Sequence, residues 1–315
     1  KDVRRLVGHA GSTGDVDKIA VIRRAALGII ESNVDRLLYL DDTRHLIQRA
    51  LEGIPHGNVQ VEAINQAVMG TGRDSEKAAR ALKKEGAGAV IVFGGDGTNR
   101  DVAKGWPDIP LLPLSVGTNN VFPFNVEATV GGIAAGLVAK GIVPFDEVAE
   151  QAKVINVEYD NAETDLALVD LVLVTGDFIG SRAIWDVSNL QEGIFAIAES
   201  ATVGLSSIAA TLEIIKRNEN AAIHVIMGEG NTAVRAPIAP GTYETIPVKE
   251  YKRVNLEERV TMKGPGVLAF DGERDRVLQE DETIVVSVSK EGPWVINTHR
   301  ALDLANIKKH FISFT

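Results

Sequence analysis

The chain has 315 residues, long enough for two domains of ordinary size, and its 45% hydrophobic and 24% charged residues match a soluble globular protein. A net charge of −10 with no long basic run argues against nucleic acid or an anionic membrane surface as partner. The absence of cysteine excludes disulfides, thiolate metal sites and cysteine nucleophiles, and agrees with a reducing, cytoplasmic setting.

The opening Lys1-Asp2-Val3-Arg4-Arg5 is not a signal peptide, and the lack of a starting Met leads us to expect that a segment precedes it. Apolar residues at helical spacing predict a helix over Asp17–Ser32, followed by a strand over Arg36–Leu40. Thr43–Leu51 reads as a helix with Thr43 as its N-cap, and Val59–Ala63 as extended. Asp74–Glu85 is a well-marked helix, capped by Asp74 or Ser75, supported by Glu76 and Arg80 at i,i+4 and ended by Gly86. Ala89–Phe93 is a strand, and it runs into Gly94-Gly95-Asp96-Gly97-Thr98-Asn99. Thr98 is expected to cap a helix reaching about Lys104, and Pro110–Ser115 is the next strand, leading into Gly117-Thr118-Asn119-Asn120. This alternation predicts a doubly wound parallel sheet covered on both faces.

From about Glu147 the pattern changes. Val148–Tyr159, Leu166–Val174, Ala221–Met227, Val267–Phe270 and Thr283–Ser289 are strand-like, with one helical stretch near Leu205–Lys216. Pro237, Pro240, Pro247 and Pro265 punctuate this half. No stretch reaches transmembrane length; Leu166–Val174 is strand-sized and contains Asp170. The tail Arg300–Phe311 is helix-like again. We therefore expect an α/β domain over 1–146, a β-rich, mostly antiparallel domain over 147–290, and a segment 291–315 that packs back on the first domain.

Three turns can carry chemistry. Glycines in Gly94–Asn99 allow a close backbone approach, and amides at a helix start suit an anion such as phosphate. Asp96 in that nest suits Mg²⁺ or a reacting hydroxyl; the plainer reading is a tight βα turn. Gly117–Asn120 leaves a neighbouring parallel strand on the same carboxyl edge, where α/β proteins bind ligands, although alone it is an ordinary turn. Asp271-Gly272-Glu273 is a hairpin signal that also pairs two carboxylates. P-loop, Rossmann, zinc and serine-hydrolase signatures are absent.

In order and spacing, Gly94-Gly95-Asp96-Gly97-Thr98, Gly117-Thr118-Asn119-Asn120 and Asp271-Gly272-Glu273 resemble the NAD kinase/diacylglycerol kinase superfamily. Gly204-Leu205-Ser206-Ser207-Ile208, Arg235–Gly241 and Ala269–Arg274 most resemble its acetoin-catabolism protein X branch. The resemblance implies an α/β nucleotide domain, a β-rich acceptor domain, an active site between them and a homo-oligomer built through the second domain. By position it implies that Gly94, Gly95, Gly97, Thr98 and Asn99 line ATP phosphates, and that Gly117, Thr118, Asn119 and Asn120 contact the nucleotide. It further implies that Asp96 acts on Mg²⁺ or the acceptor hydroxyl, and that Asp271 and Glu273 lie at the reaction centre.

The chain also departs from its relatives. NAD kinases carry an Asn-Glu pair after the second loop and a Thr-Ala-Tyr segment, whereas Ala198–Ala210 has no tyrosine. Lipid kinases read Asn-Asp-Phe where this chain has Asn120-Val121-Phe122. Relatives open with a strand and an Asn-Pro-x-Ser-Gly loop, which should lie just before Lys1. The expected function is an ATP- and Mg²⁺-dependent kinase acting on a hydroxyl of a soluble acceptor, with NAD as one candidate. The alternatives are a non-catalytic nucleotide-binding sensor and a lipid kinase.

Overall fold

The computed structural model describes residues 13–117, 119–176, 179, 184 and 186–312; Lys1–Arg5 and Thr118 lie outside them. Its first half alternates helix and strand: α1 (Asp15–Glu31), β1 (Arg36–Tyr39), α2 (Leu46–Leu51), β2 (Gln60–Ala63), α3 (Gly72–Lys84), β3 (Val90–Phe93), α4 (Asp96–Gly105), β4 (Pro110–Leu114) and α5 (Ala128–Ala139), with the single turn α6 (Phe145–Val148) after it. The starts of α2 and α3 differ from the sequence expectation. The α2 helix begins at Leu46, because Asp42 rather than Thr43 accepts from the amides of Arg44 (2.7 Å) and Leu46 (3.2 Å). In α3 the cap is Thr71, and Asp74 reaches back from the third helical position to accept its amide at 2.9 Å.

The parallel strands form two groups. β1 pairs with β2, while β3 and β4 continue into β16 (Trp294–Ile296) and, antiparallel, β5 (Ala149–Gln151). Alternation along β3 sorts its side chains: Val90 and Val92 face the core shared with Val102 and Trp106, whereas Ile91 and Phe93 face α5. Helix α1 crosses α5 with backbones nearly touching, since a methyl on Gly28 would strike Thr129 and one on Gly132 would strike Ala25. After β16, helix α8 (Thr298–Ile307) buries Ala301 and Ala305 in the same core.

The second half is antiparallel. A six-stranded sheet runs in the order β11 (Thr242–Asn255), β10 (Ala221–Ala239), β9 (Leu190–Phe195), β8 (Asp170–Val174), β13 (Gly266–Phe270), β14 (Glu273–Leu278). Ile155, Val157, Leu171 and Phe270 join it to a four-stranded sheet of β12 (Val260–Lys263), β15 (Thr283–Ser289), β6 (Val154–Tyr159) and β7 (Thr164–Ala167). Its opposite face packs on α7 (Ser206–Leu212). Two expected strands are broken. Val148–Tyr159 contains β5 and β6, and Leu166–Val174 turns a corner at Leu168–Val169 between β7 and β8. Conversely, β10 runs on to Ala239, and Pro237 and Pro247 lie inside the β10–β11 ribbon rather than ending it. Of β10, only Ile223–Ile226 pair with β9, so the ribbon beyond them is not flanked by another strand of the sheet, and a missing N–H is tolerated there.

Leu168 and Val169 pack with Val90, Leu111 and Phe122, so one core runs from the parallel sheet into the corner of the antiparallel half. That shared core places the candidate site.

Candidate functional site

The site begins with register. Phe93 and Leu114 are partners at the ends of β3 and β4, and the Gly94 amide donates to Leu114 O (3.2 Å), so both glycine loops leave the sheet at one level. Helix α4 begins at Asp96, with Gly95 as its N-cap and no side chain capping it. The expectation that Thr98 caps the helix is therefore corrected: Thr98 is the third helical residue, and it sits so close to Gly94 that a methyl there would lie 2.6 Å from its Cβ. The amides of the first turn thus keep the orientation that favours an anion.

Asp96 ties the two loops together. Its carboxylate accepts from the amides of Val121 (3.1 Å to either oxygen) and Phe122 (2.8 Å). Asn120 fills the space between the loops. Its Nδ2 donates to Ser115 Oγ (3.0 Å), its Oδ1 would lie 2.5 Å from a methyl on Gly95, and its Nδ2 2.9 Å from one on Gly117. Asn119 has both side-chain amide atoms buried with no partner among the described residues, and Asn99 Oδ1 is orphaned in the same way while its Nδ2 donates to Gly95 O. Thr118 falls outside the described residues.

The turn Asp271-Gly272-Glu273 closes the cleft from the other half. Asp271 (φ 50°) and Gly272 (φ 77°) make the tight hairpin between β13 and β14, with Phe270 paired to Glu273. The Asp271 side chain turns inward: it is 5% exposed and accepts from the amides of Leu168 (3.0 Å), Val169 (2.8 Å) and Asp170 (3.3 Å). Asp170 reciprocates by accepting from the Gly272 amide at 3.2 Å. Burial, then the adjacent Asp170, push the Asp271 carboxyl well above its usual range; Arg100 opposes this, and Asp96 adds to it. Glu273 instead faces the glycine loop, its carboxyl carbon 3.7 Å from where a Gly97 methyl would be.

Two arginines carry this assembly, and neither was singled out from the sequence. Buried Arg100 donates from Nε to Leu166 O (2.7 Å), pairs with Asp165 (2.9 Å) and Asp275 (3.0 Å), and lies 4.1 Å from the Phe270 ring centroid. It holds α4 against the β-rich half. Its position four residues after Asp96 on one helix face was the available signal. Arg217 donates to Val121 O (2.9 Å) and Phe122 O (3.1 Å) and stacks on Phe124 at 4.5 Å, with nothing in its local sequence to announce that task. Beside them, burial raises Asp101 to about 6, with Arg100 and Lys104 pulling the other way.

Among the described residues, no group of three or more His, Asp or Glu side chains is arranged to hold a metal, and no helix is long and apolar enough to cross a membrane. Residues 36–142 match the ATP-NAD kinase N-terminal domain, and residues 153–291 match the acetoin catabolism protein X C-terminal domain. The fold is similar to that of yeast NADH kinase, solved in complex with NADH: TM-score 0.52, 11% identity, 93% of this chain and 85% of that one. An NAD kinase from Archaeoglobus fulgidus, solved with ATP, aligns at TM-score 0.42 and 14% identity over 88% of this chain and 99% of that one. The architecture is thus that of the NAD kinase class, an α/β domain followed by an antiparallel β-rich region.

A protein from Cupriavidus necator described as acetoin catabolism protein X is 32% identical over 327 residues, spanning 98% of this chain and 89% of that protein. The chain belongs to the acetoin catabolism protein X family.

Proposed function

We propose that this protein is an ATP-dependent kinase that transfers a phosphoryl group to a hydroxyl of a soluble acceptor. The observation that carries the reading is the meeting of both glycine loops and the Asp271–Glu273 turn at the start of one helix, with Asp96 as its first residue and Glu273 beside Gly97. Uncapped first-turn amides supply fixed donors for phosphate oxygens, and the cleft brings a carboxylate to the same place. Phosphoryl transfer asks mainly for positioning and charge stabilisation, which such a cradle can provide.

Mg²⁺ fits the donor chemistry. It commonly binds through one or two carboxylates together with substrate phosphates and waters, so the lack of an all-protein cage is no obstacle. Asp96 and Glu273 are the residues that would hold it, and its role there would be to neutralise phosphate charge. In this scheme Asp96 aligns or deprotonates the acceptor hydroxyl. Asp271, turned onto three amides, is assigned to positioning: it fixes the corner against which Glu273 is presented. NAD is one candidate acceptor, although Ala198–Ala210, which runs into α7, has no tyrosine where a dinucleotide-binding Thr-Ala-Tyr segment is expected.

Mass spectrometry of reactions containing ATP, Mg²⁺ and NAD, NADH, acetoin or related diols tests the proposal. A phosphorylated product that disappears with Asp96→Ala is the expected result. A second reading, a non-catalytic nucleotide sensor, draws on the commitment of both aspartates to backbone amides. Nucleotide binding without product across the whole panel would favour it.

A further inference from the structure

Behind the second glycine loop lies another cavity, of about 530 Å³, on the side of the Val121–Phe122 segment where Arg217 takes the carbonyls. It is bounded by the segment 122–126 that follows that loop, by β5, β16, the first residues of α8 and residues 216–218. Phe122, Phe124 and Ile197 give it an apolar wall. Its polar wall mixes the carboxylates of Glu150 and Glu199 with Lys153, Lys216, Arg217 and His299.

Lys153 lines this cavity yet is only 2% exposed. Its ammonium donates to Lys216 O (2.9 Å) and Ala221 O (2.8 Å), and among the described residues no carboxylate stands within 4.0 Å of it. A buried cation is normally paired with an anion, because two carbonyl dipoles recover only part of its lost hydration. Burial lowers Lys153 to about 8, so at neutral pH it remains largely charged. Thr298, 4% exposed, lines the same cavity, and its hydroxyl is buried without a partner among the described residues. Thr298 is also the first residue of the ten-residue helix α8; the Asn297 side chain caps it by accepting from the Arg300 amide. The amides of Thr298 and His299 therefore belong to an anion-favouring helix start. A buried cation with no carboxylate in direct contact, although Glu219 and Glu199 act on it at longer range, an orphaned hydroxyl and a helix start converge on one apolar-walled cavity.

We propose that this cavity is a binding site for a small organic anion, a carboxylate or phosphate monoester with a compact apolar body. Lys153, the Thr298 hydroxyl and the start of α8 receive the anionic head, and Phe124 and Ile197 cover the body. Arg217 serves as a wall, since Glu199 (3.4 Å) and two carbonyls already engage its guanidinium. The site is separate from the glycine-loop cleft and does not depend on the phosphoryl-transfer reading.

The test is isothermal titration of the full chain with benzoate, phenyl phosphate, inorganic phosphate and, as a neutral control, benzyl alcohol. Benzoate or phenyl phosphate should bind about tenfold more tightly than either inorganic phosphate, which lacks the body, or benzyl alcohol, which lacks the charge. Which of the two binds better identifies the head group. Lys153→Met should weaken the better ligand at least about tenfold, and Thr298→Val about threefold. Thr298→Val removes one hydroxyl at constant shape, so it decides the matter if Lys153→Met fails to fold. Absence of binding by both aromatic anions, equal binding of benzyl alcohol, or a Thr298→Val protein that binds like wild type would each overturn the proposal.

Discussion

Asp96 and Asp271 occupy glycine-bearing turns, and each directs its carboxylate to backbone amides of another segment. Asp96 is half-buried at the head of a helix and joins two loops of the same sheet edge. Asp271 is buried at a hairpin and binds the corner between β7 and β8, beside a second carboxylate, Asp170. The difference shows how one residue type in similar local sequence takes on different work. A half-buried carboxylate beside uncapped amides can meet a ligand, whereas one enclosed by three amides stabilises the turn that presents its neighbour.

The largest expected effect follows from that contrast. Asp96→Ala should lower ATP-dependent turnover by about 10³-fold, or about 4 kcal/mol of transition-state stabilisation. Its unfolding free energy in urea should drop by only about 1 kcal/mol. If kinetics and stability changed in the reverse proportion, the comparison would be broken. Asp271→Ala should do the opposite: it leaves three amides facing a cavity and should cost about 3 kcal/mol in urea unfolding, with kcat changing less than it does in Asp96→Ala.

Two neighbouring glycines sharpen the picture. An alanine at Gly95 meets Asn120 Oδ1 at 2.5 Å and should cost about 1 kcal/mol by parting the loops. Gly97 has room, its nearest neighbour being Glu273 at 3.7 Å. Gly97→Ala should hold or raise stability by about 0.5 kcal/mol, as expected inside a helix, while weakening ATP binding in titration because the methyl stands where phosphate is expected. Retained ATP affinity would remove phosphate from that spot.

The smallest effect concerns pH. Asp101 is raised from 3.8 to about 6, so the folded state favours its protonated form. The stabilisation this brings is complete below pH 3.8 and is lost as pH rises through about 6. Asp101→Asn should therefore add about 1 kcal/mol at pH 8, after discounting for partial exposure, and nothing near pH 3.5. Urea midpoints at the two pH values measure it.

Much of the α/β half was legible because burial there follows simple periods. Val90 and Val92 alternate with Ile91 and Phe93, and the strand ends where the glycines begin. The long β10–β11 ribbon was not, because Glu229–Ala233 and Lys249–Arg253 are exposed throughout and Pro237 and Pro247 read as breaks. The corner at Leu168–Val169 was hidden for the opposite reason: Leu166–Val174 is apolar almost throughout, so nothing in its pattern marks a change of sheet.

The candidate site divides along the same line. Sequence alone determined which turns hold glycine and carboxylate and that two of them leave adjacent parallel strands, since these depend on local composition and period. Only the tertiary structure decided which way each carboxylate faces. That choice rests on amides 25 and 102 residues distant in the chain, those of Val121 for Asp96 and Val169 for Asp271. It also brought Lys153 and Thr298 to one cavity, which no spacing announces. Hydrogen-bond partners so far apart are set by packing of the shared core, and local sequence does not encode them.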